Sequence, residues 1–130
     1  MGQKYLIDSN VIIDYASDRL PKEGSDFVEE IFNREFLISV IVKIEVLGFE
    51  DVLHKTSAME DFIRMAEVIP LDEKVTDTAI KLRRIYKKLK LGDAIIAATA
   101  LEYDFILITH NIDDFRNISK LKILNPYQIS

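Results

Sequence analysis

Four acidic residues stand where an apolar run meets a turn or a helix, and this placement narrows what the chain can fold into. Asp8 closes the run YLI in YLIDSNVIID, where a helical pattern opens. Glu45 interrupts the apolar stretch ISVIVKIEVLGF. Asp93 begins the Ala-rich segment LGDAIIAATA, and Asp114 follows the run ILI in ILITHNIDDF. Carboxylates beside buried segments either point separately into solvent or converge, and convergence is costly. Two unit charges about 4 Å apart repel by roughly 1 kcal/mol in water and about 4 at an intermediate dielectric. A hard divalent cation is the usual remedy. The chain has no Cys and only two His, His54 and His110, so thiolate and His-rich sites are excluded. Oxygen ligands remain, and they favour Mg²⁺ or Mn²⁺.

The pattern between these acids alternates strand-like and helix-like segments. Residues 4–8 read as a short buried strand and 11–15 as a helix, with Ser9 or Asn10 suited to the cap. Residues 18–24 hold Pro21 and Gly24 and read as a loop. The spacing of Phe27, Val28, Ile31 and Phe32 predicts a helix over 25–34. Residues 36–39 and 68–70 read as strands, and 41–49 and 56–66 as helices. Val75, Ala79, Leu82, Tyr86 and Leu89 share one face, which predicts an amphipathic helix over 75–90, broken at Gly92. The helix opened by Asp93 carries Ala94, Ala97, Ala98 and Ala100, small enough for close packing. Residues 105–109 read as a continuous apolar strand and 123–124 as an edge strand. Such alternation predicts a three-layer α/β fold with a mainly parallel sheet. Its sites would lie at the carboxyl ends of the strands, which Asp8 and Asp114 follow. The 130 residues suit one domain, with no internal repeat or linker to divide them.

In order along nearly the whole chain, LIDSN, then LISVIVKIEVLGF, then LGDAIIAATALEYD, then ILITHNIDDF resemble the four motifs of the PIN-domain ribonucleases. Among these they are most similar to the VapC toxins of prokaryotic toxin–antitoxin pairs. The resemblance implies an α/β/α PIN-like domain. It also implies a metal-dependent endoribonuclease that leaves 5′-phosphate and 3′-hydroxyl ends, with a small antitoxin protein as partner and a homodimeric state. Asp8, Glu45, Asp93 and Asp114 would be its catalytic and metal-binding residues. Two departures stand out. His110 occupies a position where Arg is common, and the doubled Asp113–Asp114 leaves two candidates for the fourth acid. The family pattern selects the one directly before Phe, Asp114.

Other residues carry weaker signals. Ser9, Asn10, Thr109 and Asn111 are short polar neighbours of the acids, able to hold carboxylates or waters, and equally suited to caps and turns. Asp14, one helical turn beyond Asn10, reads as a solvated or capping acid, and His110 as a loop residue. A net charge of −5 argues against coating nucleic acid by bulk charge, so RNA would need a local basic patch. The run KLRRIYKKLK supplies one, with Arg84, Lys87 and Lys88 as RNA-binding candidates beside Asp93. A solvated helix face would look the same. The N-terminal apolar run is too short for a secretory signal, no stretch reaches the roughly 20 residues of a membrane span, and the lack of Cys suits the cytoplasm. Three alternatives stay open. One is a housekeeping RNA-processing nuclease of the same fold, and a second is a PIN-like scaffold that only binds partners. The third, an aspartyl-phosphate phosphatase, fits poorly, because Asn10 stands where its acid/base Asp would be needed.

Overall fold

The computed structural model describes residues 2–48 and 56–129, so Phe49 and His54 lie outside the described residues. The elements run β1 (Tyr5–Ile7), α1 (Ser9–Ala16), α2 (Lys22–Arg34), β2 (Leu37–Ser39), α3 (Val40–Leu47), α4 (Thr56–Arg64), β3 (Glu67–Ile69), α5 (Glu73–Ile85), α6 (Leu91–Tyr103), β4 (Ile106–Ile108), α7 (Ile112–Phe115) and β5 (Ile123–Leu124). A 3₁₀ turn, Pro126–Gln128, follows. All four strand pairings are parallel, in the order β3-β2-β1-β4-β5. Helices flank this sheet, as the alternation of strand and helix patterns predicts.

The strand order positions the site. From β1 the chain steps outward to β2 and β3, then returns past β1 to β4 and β5. The loops leaving β1 and β4 therefore diverge, and a crevice opens between them at the carboxyl ends of the strands. Register makes the neighbours specific. Ile7 pairs with Ile108, so the next residues, Asp8 and Thr109, emerge side by side. The Asp8 amide continues the ladder by donating to the Ile108 carbonyl at 3.0 Å.

Packing explains why this region is rigid. Leu6, Ile7, Ile38, Leu107 and Ile108 have essentially no solvent exposure. Each such side chain contributes roughly 1.5–3 kcal/mol by leaving water. From Ala94 to Ala100 every residue of α6 is buried, which suits a helix apolar on all sides and enclosed by its neighbours. Its small side chains let α5 pack closely along it, the most extensive helix pairing in the fold. Tyr15, Phe32, Phe36 and Phe62 form a second cluster, with ring centroids 4.7–6.2 Å apart, that ties α1, α2 and α4 together.

Several boundaries differ from the sequence expectation. Gly92, expected to break the helical pattern, lies inside α6, which begins at Leu91, two residues before Asp93. Three further differences have a clear physical reason. Asp8, rather than Ser9 or Asn10, caps α1, because its carboxylate accepts from the Ser9 amide at the point where the strand ends. Helix α2 begins at Lys22, so Gly24 is a buried helical residue and not a loop residue. Helix α5 stops at Ile85, five residues before the predicted end. The Tyr86 amide still closes on the Leu82 carbonyl, but the Leu89 amide turns back to the Tyr86 carbonyl. Leu89 thus reaches the core from a turn. The apolar spacing correctly reported which side chains face inward, but it persisted past the end of the helix.

Gly24 is glycine for lack of space. A Cβ there would lie 2.0 Å from the Pro126 carbonyl oxygen, so α2 and the C-terminal turn touch backbone to backbone. Gly24→Ala is expected to lower stability by about 1–3 kcal/mol, the usual cost of overpacking. Thermal melting checks this, and an unchanged midpoint would mean that the turn is not seated on α2.

Candidate active site

The first layer of the site is a hydrogen-bond network across the β1–β4 crevice. Asp8 is buried, and its Oδ1 accepts from the Ser9 amide at 2.8 Å. Its Oδ2 accepts from the Thr109 hydroxyl at 2.8 Å and from Asn10 Nδ2 at 2.9 Å. Thr109 is wholly buried, and its Oγ1 also accepts from Asn10 Nδ2 at 3.2 Å and the Asn111 amide at 3.1 Å. Asn10 Oδ1 takes the His110 amide at 3.2 Å. Burial pushes the Asp8 carboxyl above its usual range, opposed by the bonds from Thr109, Ser9 and Asn10 and by the nearby His110.

The other three acids approach from separate elements. Glu45 lies on α3, where its carboxylate receives the Ser9 hydroxyl. It also reaches the first turn of α6, since a Cβ on Gly92 would sit 3.4 Å from Glu45 Oε2. Glu45 is solvent-exposed, as are Lys43 and Ile44 before it, although it interrupts an apolar stretch of sequence. Its carboxyl is nonetheless raised, by desolvation and then by the Asp8 charge. Asp93, in the first turn of α6, is half-buried and is the electrostatic centre of the group. Its carboxyl is pushed up to about 6 by burial and then by the charges of Asp8, Asp114 and Glu45. Asp8, Glu45 and Asp114 therefore all act on Asp93, and Asp8 acts on Glu45 as well. Among the described residues no three of them stand close enough to grip an ion as they are. Donor chemistry fits a hard cation, with carboxylate oxygens throughout and neither sulfur nor imidazole among the four.

Asp113 and Asp114 part company. Asp113 is fully in solvent and pairs with Arg116 at 3.2 Å. Asp114 contributes to the shift at Asp93, and Asp113 does not. Phe115, between α7 and the core, has no exposure and anchors this turn.

Other candidates divide in the same way. Ser9, Asn10 and Thr109 join the acid network through their side chains. Asn111 joins only through its backbone amide, and its exposed side chain neither caps α7 nor bonds a carboxylate. Lys87 and Lys88, together with Lys90, line an open groove of about 400 Å³ shared with Asp93, Asp113 and Asp114. Arg84 does not line that groove. It borders a separate apolar one of about 500 Å³, with Leu71, Ile80, Leu91 and Ile95, in which Lys87 also takes part. Early termination of α5 causes this split, because Lys87 and Lys88 sit on a turn that swings toward α6. Tyr86 packs against the core, and its hydroxyl accepts from the Ser119 amide at 3.1 Å, so it is not free to stack on a base.

Sequence reasoning missed one cluster. Asp14 is buried, not solvated, and its Oδ2 accepts from both the Tyr127 hydroxyl at 2.9 Å and His110 Nδ1 at 3.0 Å. The available signal was positional. Asp14 falls on the same side of α1 as the buried Val11, and lies among apolar residues in NVIIDY.

Comparison with known proteins adds the family. The family described as PIN domain matches residues 5–121. The chain belongs to the PIN-domain family. Similar proteins include Ribonuclease VapC1 of Rickettsia felis, 25% identical over an alignment of 125 residues that covers 92% of this chain and 93% of that protein. Among solved structures, this PIN domain resembles a toxin–antitoxin complex from Klebsiella pneumoniae, with a TM-score of 0.79 and 30% identity over 97% of this chain and all of that one. VapBC-1 from nontypeable Haemophilus influenzae is similar, with a TM-score of 0.78 and 25% identity over 95% and 98% of the two chains. The parallel sheet flanked by helices is thus a PIN fold. Among the described residues no helix is long and apolar enough to cross a membrane.

The repulsion at Asp93 has a measurable sign. Its carboxyl holds its proton more tightly in the folded chain, at about 6, than at the ordinary 3.8. Stability is therefore lost as pH rises from about 4 to about 6, and the deficit persists above. Because the group is half-exposed, solvent screening limits the deficit to about 1 kcal/mol. Asp93→Asn is expected to raise the melting point of metal-free protein at pH 7 by a few degrees, with little gain at pH 4. A variant that melts lower at pH 7 would show that the carboxylates do not share a field.

Proposed function

We propose that the protein is a divalent-metal-dependent endoribonuclease and the toxin of a toxin–antitoxin pair. One observation carries the reading: Asp8, Glu45 and Asp114, each from a different element, lie near enough for their charges to act on Asp93, in a PIN fold whose named relatives are ribonucleases. Asp8, Glu45, Asp93 and Asp114 would hold Mg²⁺ or Mn²⁺. Bound there, the ion supplies Lewis-acid charge that activates water and offsets charge on the phosphodiester. The chain's own residues do the positioning. Thr109 and Asn10 fix the rotamer of Asp8, and Ser9 steadies Glu45. Lys90, at the start of α6, favours the ionised form of Asp93 and partly offsets the effect of burial and the other acids. Lys87, Lys88 and Lys90 neutralise RNA phosphates along the groove that leads to Asp93 and Asp114. The similar toxin–antitoxin complex from Klebsiella pneumoniae supports a small antitoxin as partner. A homodimer in the cytoplasm is the working form in this proposal.

Asp8→Asn is expected to lower RNA cleavage at least 100-fold while leaving the protein folded, as followed by the appearance of new 5′ ends in Mg²⁺ buffer. Asp114→Asn should lower it far more than Asp113→Asn, and the reverse ranking would move the fourth ligand by one residue. A pure binding scaffold would cleave nothing and show no stoichiometric Mn²⁺ site by calorimetry.

Substrate binding gives an independent check. Lys88→Glu is expected to weaken RNA binding and to reduce its salt slope by about one to two, since fewer counterions are released. Arg84→Glu should change the slope less, because its groove is separate. Equal effects, or none at Lys88, would contradict the assigned path.

A further inference from the structure

We propose that Asp14 and Tyr127 are positioning residues for Asp8, acting through His110 and Asn10. The proposal rests on the nuclease reading above and extends it to the C-terminal turn. The chain of contacts is continuous. Tyr127 donates its hydroxyl to Asp14 Oδ2 at 2.9 Å, and the same oxygen takes His110 Nδ1 at 3.0 Å. A carboxylate can only accept, so the imidazole proton resides on Nδ1 and the ring orientation is fixed. Tyr127 also packs on that ring, with centroids 5.6 Å apart. Once His110 is held, its backbone amide faces Asn10 Oδ1 at 3.2 Å. This bond sets which way the Asn10 amide points and leaves Nδ2 to serve Asp8 Oδ2 at 2.9 Å. Turned over, Asn10 would present an oxygen to a carboxylate and repel it.

The far end of the relay is anchored as well. Asn125 Oδ1 accepts from the Tyr127 amide at 3.0 Å, and Pro126 rests on Gly24 of α2. Tyr127 is 38% exposed, so its ring adds little to the core. Its hydroxyl instead serves a buried acid on α1, six residues after Asp8. A tether for the chain end alone would not require a polar hydroxyl aimed at a carboxylate that already binds the loop carrying Thr109 and His110.

Single-turnover cleavage and metal dependence test this in Asp14→Asn, Tyr127→Phe, His110→Ala and His110→Asn, with Asp8→Asn as comparator. Asp14→Asn and His110→Ala are expected to lower the rate about tenfold, as removal of a group behind a metal ligand does. The metal concentration for half-maximal rate should rise, and the RNA concentration for half-saturation should not. Tyr127→Phe should show the same pattern more weakly, and its exposure makes unfolding an improbable confusion. His110→Asn retains a donor where Nδ1 stands and should recover most of the loss. In metal-free protein, ¹H NMR should show a slowly exchanging Nδ1 proton that vanishes in Asp14→Asn. Wild-type rates and metal dependence in Asp14→Asn and Tyr127→Phe, with Asp8→Asn inactive, would overturn the relay alone. So would a His110→Asn variant as impaired as His110→Ala, since the ring would then act directly. An Asp8→Asn variant that cleaves RNA normally would overturn the nuclease reading and the relay with it.

Discussion

The hydrogen bond from the Thr109 hydroxyl to Asp8 is the contact on which the rest of the site depends. It joins the ends of two adjacent parallel strands, in a place where neither side chain is accessible to water. An acid buried this far is tolerated only when its oxygens are satisfied, and Asp8 has three donors. Those donors come from β4 and from the first turn of α1. The carboxylate therefore stays ionisable at a fixed position, while the helices around it deliver Glu45, Asp93 and Asp114. The order of the strands makes this possible, because only where successive loops diverge is there room for four elements to meet.

Much of this was legible in the residues. The acids announced themselves by standing against apolar runs, and the alternation of strand-like and helical segments led to a parallel sheet. Strand ends and helix starts were misplaced by one to three residues, since a short strand and a capped helix share a boundary whose exact point depends on one hydrogen bond. Asp8 as a cap is such a case. The end of α5 was hidden for a different reason. Tyr86 and Leu89 keep the apolar spacing of the helix while the backbone has already turned, so periodicity described burial and not conformation. Glu45 interrupts an apolar stretch, but apolar character there does not report burial, since Ile44 beside it is 60% exposed. The Asp14–His110–Tyr127 cluster depends on contacts across about a hundred residues of chain, and no local pattern encodes them.

The same electrostatics that mark the site oppose the fold. Burial and three neighbouring charges act together on Asp93, which half-faces the groove. A domain stable by roughly 5–15 kcal/mol bears such a load only where the surrounding core is tight. The fully buried run of α6 behind Asp93, and Phe115 behind Asp114, supply that support. Lys90 offsets part of the load on Asp93, and Lys87 and Lys88 line the same groove beside it.

The central claim, that the four carboxylates share one cation site, is open to direct measurement by NMR during Mn²⁺ titration. The paramagnetic ion broadens only nuclei near it, and of the 22 acidic residues in the chain 18 lie outside the proposed site and compete with it. Sharing predicts that amides of residues 8–10, 45, 92–94, 109–111 and 114 broaden together at substoichiometric Mn²⁺, before exposed acids such as Asp26 and Asp61. Scattered broadening that begins at those exposed acids, with Asp8 and Asp93 unaffected, would contradict it.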